Sequence, residues 1–201
     1  LAPVVKNYGA YEVLLQLTPD LDEKLKESFP EIFREIRTIS LLRLVDGVTS
    51  AKMIRPMFLD SHMSGICGDI AVSEGSVRRF IASLGTMRRR IEAFMKKQVM
   101  PGTTLLFDGT SIFWRSEDSL SAKGYNPDHS QNPQGRILYV FEKDSHRPVF
   151  YRVLQGSVVD KAAFMDTVSA AGCKNCIIIA DKGFYSKKNV SALMEGNMKY
   201  I

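Results

Sequence analysis

Cysteine is scarce, with Cys67, Cys173 and Cys176 the three examples in 201 residues. So few, and an odd number, cannot build a disulfide framework, and a reducing, cytoplasmic setting is the expectation. No apolar run comes near the ~20 residues that a membrane-spanning helix requires. The opening Leu1-Ala-Pro-Val-Val-Lys6 lacks the basic stretch and apolar segment of a secretory signal. It also lacks an initiating Met, as expected of a fragment from a longer chain. There is no internal repeat and no low-complexity segment.

What is present is the composition of a folded, soluble protein. Apolar residues make up 45% and charged residues 24%, too apolar and too evenly charged for a disordered chain. The length suits one domain or two small ones and can bury a core without staples. Lys and Arg number 27 against 22 Asp and Glu, a net charge of +5 that permits a nucleic-acid partner without demanding one.

The two halves follow different periods. Up to about residue 100 the pattern is helical. Ile32, Phe33, Ile36, Ile39, Leu42 and Val45 fall on one helical face. Thr18-Pro19 reads as an N-cap and first-turn proline, with Asp20, Asp22 and Glu23 in that turn. Pro30, Gly47 and Pro56 read as breaks, Ser76–Leu84 and Thr86–Met100 as helices parted by Gly85, and Pro101-Gly102 as the close of this half. From Thr103 to Phe113 the chain is β-rich, and residues 114–135 read as a long polar loop. Ile137–Phe141 and Val149–Leu154 read as strands joined by a turn, Asp160–Ala171 as a helix, and Cys176–Ala180 as a buried strand. Ser186 caps a helix to about Glu195, and Met198–Ile201 opens another strand. The expected order is β-β-β-α-β-α-β.

Two carboxylates stand out. Asp108 interrupts the apolar strand Leu105-Leu-Phe-Asp-Gly-Thr110, where an unpaired buried charge is costly. Asp181 directly follows Ile177-Ile-Ile-Ala180, at the carboxyl end of a strand, where open α/β sheets bind ligands. The plainer reading is that each caps a loop or turn. If the two strands are neighbours, the carboxylates converge and repel each other unless a cation lies between them. Such hard oxygen ligands select Mg²⁺ or Mn²⁺ over Zn²⁺, the layout of a two-metal phosphoryl-transfer site.

Four segments then resemble, in order, those of insertion-sequence DDE transposases of the IS-four-like group. Leu106-Phe-Asp-Gly-Thr110 is similar to the first-aspartate strand, and Ala180-Asp-Lys-Gly-Phe-Tyr-Ser-Lys-Lys-Asn189 to the second-aspartate motif. Between them, Gly124-Tyr-Asn-Pro-Asp-His129 with Gln134 resembles the loop after the first strand. Gln155-Gly-Ser-Val-Val-Asp160 resembles the stretch before the helix, with Ser157 in place of Asn. The resemblance covers residues 103–201.

It implies an α/β fold, a ribonuclease-H-like mixed-sheet core (102–201) preceded by an all-helical, DNA-binding region (1–101). It implies a DNA transposase that cleaves and joins phosphodiester bonds at the ends of an insertion sequence, with Mg²⁺ or Mn²⁺ as cofactor. Asp108 is then the first catalytic and metal-binding acid, bridging two metals, and Asp181 the second. The implied partner is double-stranded DNA, both inverted-repeat ends and target, held by a homodimer in the bacterial nucleoid, with no membrane. The family's third acid is a Glu on a later helix. Glu195, the one Glu after Asp181, ends the very next helix and is not at that position. The third acid is therefore expected beyond residue 201, and the fragment alone is expected to be inactive. The alternatives are a catalytically inactive DNA-binding and dimerisation fragment, or a ribonuclease-H-like nuclease.

In the helical half, Asp69–Ile81 reads like the turn and second helix of a helix-turn-helix, with Ser73 as cap and Gly75 easing the turn. Residues 78–97 hold seven basic side chains against one acid, Glu92. Arg78, Arg79, Arg88, Arg89 and Arg90 are the expected DNA contacts there, and Lys182, Lys187 and Lys188 those beside Asp181. The alternative is a solvated basic face. Cys173-Lys-Asn-Cys176 leads into a strand and reads as packing cysteines, Trp114 as core or rim, and His129 as a loop residue within reach of substrate.

Overall fold

The structure, a computed structural model, describes residues 5–47, 50–113, 120–124 and 132–201. Trp114, His129 and most of the loop motif 125–129 lie outside the described residues. The chain divides into two compact units, Leu1–Arg90 and Ile91–Ile201. No helix among the described residues is long and apolar enough to cross a membrane.

The first unit is helical: α1 Gly9–Leu17, α2 Pro19–Ser28, α3 Phe33–Asp46, α4 Ala51–Asp60, α5 Met63–Ile66 and α6 Glu74–Thr86. Ile39 and Leu42 of α3 are buried with Tyr11, Ile54, Phe58, Met63 and Val77, and Val45 packs beside them, so this part of the expected apolar face lies in the core, whereas Ile32, Phe33 and Ile36 are only half-buried. Pro19 opens α2 with Asp20 and Asp22 in its first turn, where acids favour the helix dipole. Thr18 stands at the cap position, but its hydroxyl does not cap. It donates to the Leu14 carbonyl and accepts from Arg37 Nη2, both at 2.6 Å. Arg37 also pairs with Asp22 at 2.5 Å, so one buried guanidinium ties α2 to α3.

Three expected breaks are helical instead. Pro56 lies inside α4; it forfeits one backbone hydrogen bond, and burial of Ile54 and Phe58 on either side offsets the loss. Gly75 and Gly85 both lie inside α6, where packing of Val77 outweighs their weak helix propensity. Ser73 does cap α6, accepting from the Ser76 N–H at 3.2 Å. The preceding α5 is only four residues long and 67–73 separates it from α6, longer than the short turn of a helix-turn-helix.

The second unit is a five-stranded mixed sheet in the order β3-β2-β1-β4-β5. Its strands are β1 Thr104–Phe113, β2 Gln134–Glu142, β3 Arg147–Gln155, β4 Ile177–Ala180 and β5 Lys199–Tyr200. The helix α7 Arg88–Lys96 spans the division and sends Met95 into this unit's core; α8 Asp160–Ala171 and α9 Lys187–Glu195 complete the unit. β1, β2 and β3 pair antiparallel, while β4 pairs parallel with β1, and β5 parallel with β4. β2 and β3 extend past their apolar stretches, because the backbone ladder continues through polar residues such as Gln134, opposite Phe113. Pro148 is accommodated because β3 is an edge strand with a register shift at Val140/Phe141.

The strand alternation sorts side chains by face. Leu105, Phe107, Leu138, Val140, Phe150 and Ile178 are buried with Phe164 and Val168 of α8 and Leu193 of α9. Leu106, Asp108, Ile179 and Asp181 belong to the other face.

Two glycines of the resembling motifs meet where three backbone segments cross. Gly156 N–H donates to the Leu120 carbonyl at 3.1 Å, and Ala122 and Gln134 exchange both backbone bonds at 3.1 Å. A Cβ on Gly156 would stand 1.9 Å from the Gln134 carbonyl oxygen, and one on Gly124 would stand 1.9 Å from that of Gly156. Neither neighbour is a flexible side chain, so the backbone must part. Gly156→Ala is expected to lower unfolding stability by roughly 2 kcal/mol. Urea denaturation measures this, and a variant within ~0.5 kcal/mol of the parent rules out the close approach.

Candidate functional site

β1 is longer than its parallel neighbour. Their last paired residues are Phe107 and Ala180, so Asp108 and Asp181 come next in the register of two adjacent strands. Neighbouring strands lie about 4.8 Å apart, so the chain positions of Asp108 and Asp181 are adjacent at the carboxyl end of β4. Both residues are exposed. Asp108 therefore avoids the burial cost that its apolar surroundings imply: Leu105 and Phe107 face the core, and Asp108 faces away from it.

Each carboxylate is steadied by a backbone donor. Gly109 N–H donates to Asp108 Oδ1 at 2.8 Å, and Gly183 N–H donates to Asp181 Oδ1 at 2.6 Å. Asp181 caps the 3₁₀ turn Lys182–Phe184, so the plainer reading of this residue holds as well. Capping occupies Oδ1 and leaves Oδ2 of each carboxylate without a hydrogen bond among the described residues. Exposed carboxylate oxygens are hard donors, of the kind that suit a hard divalent cation. Among the described residues, no group of three or more His, Cys, Asp or Glu comes together. Glu195 is exposed at the far end of α9.

The turn after Asp181 is held by a residue to which sequence reasoning assigned no role. Asn189 is 5% exposed, and its Nδ2 donates to the Lys161 carbonyl at 3.0 Å and the Phe184 carbonyl at 2.9 Å. Its backbone N–H donates to Ser186 Oγ, the cap of α9, at 3.1 Å. In the sequence it closes the segment Ala180–Asn189 that resembles the second-aspartate motif, but no periodicity marks its role. An apolar cavity of about 440 Å³ lies beside Asp181, lined in part by Phe164, Phe184, Tyr185, Leu193, Tyr200 and Ile201.

The basic residues differ in exposure and in the partners they hold. Lys182, Lys187 and Lys188 are exposed around the turn and the start of α9. In the first unit Arg78 pairs with Glu74 at 2.8 Å, and Arg79 reaches Ser76 Oγ at 3.3 Å. Arg88 and Arg89 are exposed. Arg90 is committed within the fold: it grips both Glu31 oxygens, donates to the Ser28 carbonyl at 2.6 Å and lies 4.9 Å over the Phe29 ring. Cys173 and Cys176 are free thiols; burial, and then the neighbouring Cys176, push the Cys173 thiol up to about 12, so it is no ready thiolate.

The hydrogen bonds from Arg90 hold the Glu31 carboxyl below its ordinary value. A depressed carboxyl contributes stability that is present above its unfolded pKa and is lost as the pH falls through its folded one. Arg90→Ala is expected to lower the thermal midpoint at neutral pH and to flatten the acid limb of the stability profile. Arg89→Ala is expected to do neither. Thermal melts from pH 7 down to pH 3 compare them, and equal behaviour of the two variants contradicts the structural role of Arg90.

No protein-family model matches the chain, and no curated protein does. Among solved structures, the chain is similar to the piggyBac transposase in its synaptic complex with hairpin DNA. The identity is 11% over 95% of this chain and 46% of that one, with a TM-score of 0.48. It is also similar to the Mos1 transposase in a paired-end complex with the left transposon end. There the identity is 10% over 80% of this chain and 56% of that one, with a TM-score of 0.36. The chain thus spans about half the length of these proteins. Likeness at this level fixes no activity; the chemistry rests on the side chains.

Proposed function

We propose that the chain is part of a DDE transposase with a ribonuclease-H-like catalytic core, acting on phosphodiester bonds of DNA. The observation that carries this reading is that Asp108 and Asp181 each directly follow the last β1–β4 pair, Phe107 and Ala180, in a mixed sheet of order β3-β2-β1-β4-β5. The ordered motifs of the IS-four-like group around the two aspartates support it. Asp108 and Asp181 would hold Mg²⁺ or Mn²⁺ through their Oδ2 atoms. A cation bound there supplies Lewis-acid polarisation of a phosphodiester and activation of a water or 3′-hydroxyl. Lys182, Lys187 and Lys188 would bind phosphates beside the carboxylates, and Arg78, Arg79, Arg88 and Arg89 would bind duplex DNA from the helical unit, each adding to the salt dependence of binding. Arg90 contributes to the same basic run mainly by holding the fold. The proposed assembly is a homodimer bridging two DNA ends.

A second reading is favoured by one observation, the absence of a third acid at the carboxylate pair among the described residues. It is a DNA-binding and dimerisation module that does not itself cleave.

Mn²⁺ titration by calorimetry tests the site. Asp108→Ala and Asp181→Ala are each expected to weaken binding at least tenfold, and undiminished binding in both removes the metal site. Incubating the 201-residue chain with inverted-repeat DNA and Mn²⁺ separates the two readings. Binding without nicking supports the non-cleaving module, and nicking that Asp108→Ala abolishes supports the enzyme.

A further inference from the structure

We infer that Asn189 is a positioning residue for Asp181, resting on the reading of Asp181 as a metal ligand. Asp181 follows a short strand, β4, and is steadied by the turn Lys182–Phe184, whose Gly183 N–H meets Oδ1. A three-residue 3₁₀ turn on the protein surface has little hydrogen bonding of its own to keep it in place. Within it, the Phe184 N–H bonds to the Asp181 carbonyl, and the Tyr185 N–H closes it onto the Lys182 carbonyl. The Phe184 ring packs 5.4 Å from Phe164 of α8, which anchors the turn without fixing the direction of its backbone.

Asn189 supplies that direction. Its single amide nitrogen bonds the Phe184 carbonyl, at the end of the turn, and the Lys161 carbonyl, in the first turn of α8. One planar group thus sets the distance and the angle between the turn and the helix beneath it. The side chain is buried, so removing it takes a donor from both carbonyl oxygens, which is unfavourable where water cannot replace it. The chain escapes that cost by shifting the turn, and the shift moves Gly183 N–H off Asp181 Oδ1. Ser186 offers an internal comparison. It caps α9 through the Asn189 backbone N–H, so its loss weakens the helix while leaving the side-chain bridge of Asn189 intact.

The variants Asn189→Ala, Asn189→Asp and Ser186→Ala test this in the full 201-residue chain. Amide hydrogen exchange at Gly183 reads the turn without any metal. Both Asn189 variants are expected to lose at least tenfold in Gly183 protection, and Ser186→Ala to stay within about twofold of the parent at the same temperature offset from its own midpoint. Calorimetric Mn²⁺ titration then reads the consequence, with Asn189→Ala expected to bind at least fivefold more weakly than Ser186→Ala. Unchanged Gly183 exchange in the Asn189 variants, or an equal loss in Ser186→Ala, overturns the positioning role. If Mn²⁺ binding is insensitive to Asp108→Ala and Asp181→Ala, the metal reading fails instead, and the exchange result still decides what Asn189 does. Should Asn189→Ala fail to fold, Asn189→Asp, which keeps the volume and removes the donors, carries the test.

Discussion

Everything at the candidate site depends on where one parallel pairing stops. β1 and β4 are bonded from Thr104/Ile177 to Phe107/Ala180, and the next residue is an aspartate in each chain segment: Asp108 within β1 and Asp181 just after β4. β4 then turns away through a 3₁₀ turn, while β1 continues for five more residues beside β2. The carboxylates are exposed because the strand that would have shielded Asp108 on one side ends there. A shift of one residue in this register would separate the two aspartates and turn one of them toward Phe164 and the core, since side-chain direction alternates along a strand.

That register is held from the other face. Leu105, Phe107 and Ile178 are buried against α8 and α9, and the expense of exposing them fixes which residues face outward. The same helices carry the polar devices of the site: α8 offers the Lys161 carbonyl, and α9 offers Asn189 with Lys187 and Lys188 at its start. The core and the carboxylate pair are thus two sides of one sheet. The helical unit uses a different economy, in which buried or half-buried guanidiniums (Arg37 on Asp22 and Thr18, Arg90 on Glu31) join helices that are individually short. A run of arginines consequently contains both half-buried, fold-forming and exposed members.

Much of this was legible in the residues. The element order of the sheet unit, the apolar face of α3, and the caps Ser73 and Ser186 followed from periodicity and short-range hydrogen-bond chemistry. Pro56, Gly75 and Gly85 misled because local propensity is weaker than the burial of Ile54, Phe58 and Val77 around them. Strand ends misled because the ladder of β2 and β3 is set by backbone pairing and not by apolar content. Gly124 and Gly156 were visible as motif glycines, yet their reason, carbonyl oxygens 1.9 Å from any added Cβ, exists only where distant segments cross.

The sequence by itself determined that Asp108 and Asp181 stand out, because each is a carboxylate set inside or directly after an apolar run, where it must be exposed or paired. It also determined the basic run from Arg78 to Lys97 and the types of element on either side of residue 100. Only the tertiary structure decided that the strands carrying Phe107 and Ala180 pair just before the two aspartates, that Arg90 is spent on Glu31, and that Asn189 bridges the Asp181 turn to α8. The pairs Asn189–Lys161, Arg90–Glu31 and Phe107–Ala180 lie 28, 59 and 73 positions apart, and chain order does not encode separation in space.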